Sequence, residues 1–134
     1  MARAGTGIIK FKMMNDYKQI TDRTFEFSVR IIKLCKVLNE SSGVGRTLSQ
    51  QLLKSGTSIG ANVEESQSAQ STADFVHKLE IALKEGRETK YWLRLLIASE
   101  LISEDRLLPI LGEINELIKI IAAIVVKTKQ NRQQ

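Results

Sequence analysis

The chain has 134 residues with one cysteine and one proline; 43% are hydrophobic, 26% charged and 5% aromatic. That length points to one domain able to bury a core without disulfides or a structural metal, and a lone Cys35 excludes an internal disulfide and fits a reducing, cytoplasmic setting. The net charge of +5 is uneven: residues 1–40 carry eight Lys/Arg against four acids, residues 41–102 are balanced, and the end of the chain adds Lys127, Lys129 and Arg132. Such an excess suits either a polyanionic partner or a solvated basic surface.

The first stretch, "MARAGTGIIKFKMM", lacks the hydrophobic core of a secretory signal, since Lys10 and Lys12 interrupt it. It reads as a flexible leader over residues 1–15, with Met13 and Met14 as alternative starts. The longest uninterrupted apolar run, residues 120–126, is far short of the roughly 20 residues a membrane span needs.

Four periodic segments follow. In the first, Ile20, Thr24, Phe27, Ile31, Leu34 and Leu38 step by fours and threes. A second stripe of Phe25, Val29 and Ile32 widens the apolar face, predicting an amphipathic helix over residues 16–39. "NESSGVGR" ends it, with Gly43 and Gly45 as breakers. The second helix carries Leu48, Leu52, Ser55, Ile59, Asn62 and Ser66, with Thr47 or Ser49 as its cap.

The third helix starts at Ser71 or Thr72, with Asp74 in its first turn, and keeps one seam through Phe75, Leu79, Ala82, Gly86, Thr89, Leu93 and Leu96. The fourth starts at "SEDR", with Ser103 as cap and Glu104 and Asp105 in the first turn, and runs through Leu107, Leu111, Ile114, Ile118, Ile121 and Val125. Pro109 lacks an amide donor, so either this helix kinks there or its regular part begins there. No strand signal occurs. The fold class expected is all-α, an up-down-up-down antiparallel four-helix bundle over residues 16–129, with a flexible tail over 130–134. Apolar residues around helix 4, and Tyr91, Trp92, Leu95 and Ile97 on helix 3, exceed what one core stripe needs, which favours self-assembly.

"SGTSIGANVEES", residues 55–66, invites a search for a phosphate loop. Its glycines at 56 and 60 do not have the spacing of a P-loop or a dinucleotide fingerprint. A di-iron bundle needs two Glu-x-x-His pairs. His77 is the sole histidine, and helices 1 and 4 offer no obvious inward acid. Ser55, Ser58 and Cys35 lack a base and an orienting group, so no catalytic residue, cofactor or metal ligand is expected. The stretch instead keeps helical register. Ser55, Gly56, Ser58, Gly60, Asn62, Glu65 and Gly86 are read as a packing motif. With a tight turn near residues 70–71, Ser55 faces Gly86 and Glu65 comes near His77 and Lys78. The small residues let helices 2 and 3 approach closely, which must offset about 1 kcal/mol per glycine. Asn62 is satisfied by Glu65 or by a carbonyl of helix 3.

The stretch "LSQQLLKSGTSIGANVEESQSAQSTADFVHKLEIALKEGRETKYWLRLL" resembles the four-helix-bundle proteins encoded by intervening sequences of bacterial 23S ribosomal RNA genes. Gln51, Leu52, Ser55, Ser58, Ile59, Ala61, Asn62, Val63 and Glu65 carry one motif; the run from Ala82 to Leu93 carries the other. The likeness is tightest over residues 48–96; Pro109 and the first 13 residues lie outside it. The resemblance implies a bacterial, cytoplasmic bundle forming ring-like homo-oligomers, often pentamers. Related bundles are accessory proteins of diversity-generating retroelements, where a basic ring meets a reverse transcriptase and nucleic acid. For most members no biochemical function is established.

The reading is therefore a non-enzymatic oligomeric bundle that binds RNA, DNA or a nucleoprotein such as a reverse-transcriptase-like partner. The contact residues expected are Arg23, Arg30, Lys33, Lys36, Lys127 and Lys129. The alternatives are a protein–protein interaction module and, third, a metal-dependent bundle enzyme.

Overall fold

The seam of the first segment explains the architecture. Ile20, Thr24, Phe27, Ile31, Leu34 and Leu38 are all buried, and the helix they line packs against the second and fourth helices. The computed structural model describes the backbone of residues 2–41 and 43–133 and the side chains of 19–41 and 43–132. Helix α1 spans Ala2–Asn39, α2 Gly43–Ser66, α3 Thr72–Ala98 and α4 Glu104–Gln133. Each helix packs on its sequence neighbours, and α4 closes back on α1. This is the antiparallel four-helix bundle expected from the periodicity.

The boundaries differ from those expected in two places, the starts of α1 and α2. α1 begins at Ala2 rather than near residue 16; residues 8–18 contain neither proline nor glycine to stop it. The side chains of the expected leader lie outside the described residues. α2 begins at Gly43, so neither Thr47 nor Ser49 caps it. The Thr47 hydroxyl donates to the Gly43 carbonyl inside the helix, and Ser49 is buried. Gly45 is no breaker. A β-carbon there would stand 2.9 Å from Ser41 Cβ and 3.1 Å from the Leu38 carbonyl oxygen, so its smallness lets α2 start hard against the end of α1. α4 begins at Glu104 and carries the exposed Pro109 within it, so the regular part does not wait for the proline.

Ser71 caps α3 as expected, its side chain accepting from the Asp74 amide. α3 ends through Ser99, whose amide donates to Leu95 and Ile97 carbonyls, and Glu100 follows with φ of 60°. That left-handed residue reverses the chain toward α4.

The wide apolar face of α1 divides. Its first stripe is core, but Phe25, Val29 and Ile32 are exposed, Phe25 at 61% and Ile32 at 45%. No helix of the described residues is long and apolar enough to cross a membrane.

Candidate nucleic-acid interface

The seven residues of the packing motif do not form one seam between α2 and α3. Gly56 faces α1: a β-carbon on it would lie 2.8 Å from Ile31 Cγ2. Gly60 also faces α1, where a β-carbon would lie 3.1 Å from the Thr24 carbonyl oxygen. Gly86 faces α4, with Ile118 Cγ1 at 3.2 Å from such a carbon. The small residues thus serve three different contacts. Ser55 does face α3, but at Thr89, about one turn beyond Gly86. The Thr89 hydroxyl donates to Ser55 Oγ at 2.9 Å in a buried site. The register differs because residues 67–71 form a real turn, closed by amides of Gln67, Ser68 and Ala69 on carbonyls of Glu64, Glu65 and Ser66.

Glu65 meets Lys78 at 3.2 Å as expected. Asn62 is not held by Glu65 or α3. Its amide nitrogen donates to the Ser58 carbonyl of its own helix at 2.8 Å. The Ser58 hydroxyl likewise turns back to the Lys54 carbonyl. Ser49 and Cys35 clamp α1 to α2: the Ser49 hydroxyl donates to the Cys35 carbonyl, and the thiol donates to the Ser49 carbonyl. Burial pushes the Cys35 thiol above its ordinary value. Among the described residues no group of three or more His, Cys, Asp and Glu side chains is gathered as a metal would need.

The six candidate cations separate. Arg23 is half-buried against α4, where its guanidinium grips Glu113 in a fork, Nη2 at 2.5 Å and Nε at 3.2 Å. The hydrogen bond to Glu113 raises the guanidinium above its already high value. Glu113 is the acid on helix 4 that the sequence did not reveal, and it is already engaged. Lys129 pairs with Glu80 at 2.7 Å, which holds the Glu80 carboxyl below the usual range. Lys127 lines a small hollow of about 150 Å³ with Gln19, Ile120, Ala123 and Ile124.

Arg30, Lys33 and Lys36 are exposed on α1. Arg30 and Lys33 share a shallow hollow of about 230 Å³ with Arg106 of α4, over a floor of Leu34, Leu107 and Ile110. Arg106 was not foreseen; it follows two acids in the sequence, which hide it. Residues 106 and 127 lie about 30 Å apart along α4 at 1.5 Å per residue. The basic residues therefore form two groups at opposite ends of the bundle. A separate cleft of about 530 Å³ lies between the end of α3 and the start of α4, its lining including Tyr91, Arg94, Leu95, Glu104, Leu108 and Leu111.

Fold and surface together define an antiparallel four-helix bundle with a basic flank at the α1–α4 junction. The chain belongs to the 23S rRNA-intervening sequence protein family, whose model matches residues 17–123. It is also similar to a protein of unknown function from the S23 ribosomal protein family of Bacteroides thetaiotaomicron, known from a crystal structure. The two share 42% identity with a TM-score of 0.76, over 82% of this chain and 97% of the other. No curated protein matches this chain.

Proposed function

We propose that this bundle is a non-enzymatic, self-assembling cytoplasmic protein that binds nucleic acid, or a nucleoprotein, through its basic flank. The observation that carries this reading is the cluster Arg30, Lys33 and Arg106. These three cations from two helices ring one hollow, and among the described residues no carboxylate is paired to any of them. Lys36 extends the same basic helix. Arg23 drops out of the expected contact set because Glu113 neutralises it, and Lys129 is engaged by Glu80. Binding governed by phosphate contacts weakens steeply with salt. Purified protein is expected to retard labelled RNA or DNA at low ionic strength and to release it as salt rises. Absence of any salt-sensitive binding overturns the reading.

Self-assembly, as a ring such as a pentamer, is supported by the exposed Phe25, Val29 and Ile32 on α1 and Leu53 on α2. The same surface favours a second reading, a module whose partner is another protein. Capture from lysate with and without nuclease separates the two: partners lost on nuclease treatment arrive through nucleic acid, and partners retained bind the protein directly.

A further inference from the structure

We propose that Arg30, Lys33 and Arg106 form a seat for a single phosphate of a nucleic-acid strand, with Leu34, Leu107 and Ile110 lying against the edge of its sugar. This rests on the nucleic-acid reading and narrows it to one place. The cations come from α1 and α4 and surround a common hollow of about 230 Å³. That is below the 300–1,000 Å³ typical of small-molecule pockets, and fits one phosphate and part of a sugar rather than a whole ligand. Among the described residues Arg23, Lys78 and Lys129 each have a carboxylate within 3.2 Å; these three have none there.

The chemistry of the lining sets what the seat can do. Two guanidinium groups can fork onto phosphate oxygens and the ammonium adds a point charge. Among the described residues no aromatic ring lines the hollow, so they offer no stacking platform for a base. Contacts of this kind position a strand without reading its sequence. Of the two acids in the first turn of α4, Glu104 borders the cleft on the α3 side, and neither it nor Asp105 lines this hollow. Seating a phosphate here requires α1 and α4 together.

The test uses the full chain with a fluorescein-labelled single-stranded oligouridylate and its oligothymidylate counterpart, titrated over a range of salt. Arg106→Gln and Arg30→Gln are each expected to weaken binding several-fold for both strands. Each should also flatten the slope of log affinity against log salt by about 0.7, the value for one lost contact on a single strand. Lys84→Gln, on α3 and exposed, should change neither. Because Arg30 and Arg106 are exposed, the variants should melt with the wild type, and Arg106→Lys should recover part of the affinity. If the wild type binds but Arg106→Gln and Arg30→Gln bind equally well with the same slope, the seat is wrong and the broader reading stands. If the wild type binds neither strand, both fall. Thermal stabilisation by inorganic phosphate in such a protein would show an anion site whose occupant is not nucleic acid, which also overturns the proposal.

Discussion

Gly60 of α2 rests against the backbone of Thr24 on α1, so closely that a β-carbon would stand 3.1 Å from the Thr24 carbonyl oxygen. Backbone cannot step aside as the end of a side chain can. Alanine gains about 1 kcal/mol over glycine in a helix interior, yet Gly60→Ala should lose stability because α1 must shift. Gly56→Ala should lose more, since the new carbon falls 2.8 Å from Ile31 Cγ2, and Ile31 is fully buried. Gly112 has nothing within 4 Å, so Gly112→Ala should gain about 1 kcal/mol. Urea melts of the three variants check the order. Equal stability of Gly60→Ala and Gly112→Ala would refute the close approach. Gly56→Leu and Gly60→Leu should prevent folding or assembly.

The buried hydroxyl pair of Thr89 and Ser55 ties α3 to α2. Thr89→Val keeps the shape and leaves Ser55 its weak bond to the Leu52 carbonyl at 3.4 Å. Thr89 also donates to the Glu85 carbonyl at 2.8 Å, so the expected loss is about 1–2 kcal/mol, that of one to two net hydrogen bonds. Asn62→Ala should be nearly neutral, because the Asn62 amide serves only its own helix and is half-buried. A larger loss at Asn62 than at Thr89, read from thermal melts, would contradict this arrangement.

How far the sequence carried depended on whether hydropathy marked the contact. The seam of α1 was legible residue by residue because large apolar side chains recur at helical spacing and are all buried. The inner face of α2 was legible only in part: Leu52, Ser55, Ile59 and Ser66 are buried as their spacing implied, but Ser49, Gly56 and Gly60 are buried too, and serine and glycine carry no apolar signal. The motif was correctly placed in a helix, yet its partner helices could not be told apart without the turn at residues 67–71. Of the candidate cations, the sequence could not show that Arg23 is tied to Glu113, 90 positions away. Nor could it show that Arg106, behind Glu104 and Asp105, joins Arg30 and Lys33.

Arg23 and Glu113 form a forked pair across α1 and α4, with side chains 34% and 22% exposed. Half-exposed pairs contribute little each, on the order of 1 kcal/mol. Arg23→Gln is expected to cost about that amount in stability, and the paired variant Arg23→Gln with Glu113→Gln, which removes both charges together, should leave polyanion affinity unchanged. Fluorescence anisotropy with a labelled oligonucleotide checks the second part. Weakening equal to that of Arg30→Gln would return Arg23 to the contact surface.

Cys35 is buried between α1 and α2, and desolvation raises its thiol pKa. The folded thiol should resist iodoacetamide at mildly alkaline pH and react only on unfolding. The sign of the stability effect follows. With the folded pKa raised, the contribution is full below the unfolded thiol value. It is lost as pH rises beyond that value toward the folded one. Stability of the wild type should therefore fall more steeply than that of Cys35→Ala in the alkaline range. Equal slopes in pH-dependent urea melts would show that the thiol is solvated.

Phe25, Val29 and Ile32 form a stripe at helical spacing that no other helix of the bundle covers, and Leu53 of α2 stands level with Ile32. That level follows from Gly56 lying against Ile31 and from the Cys35–Ser49 clamp. An apolar stripe on water is costly by about 25 cal/mol per Å² of exposed apolar area. A second copy of the chain would remove that cost without disturbing the core. Light scattering of the wild type should then give a mass above that of one 15.1 kDa chain. Phe25→Glu combined with Ile32→Glu should bring it down to one chain while preserving helical content, because both positions are exposed within the chain. A monomeric wild type, or an unchanged mass in the double variant, would show that copies of this chain do not meet through this stripe.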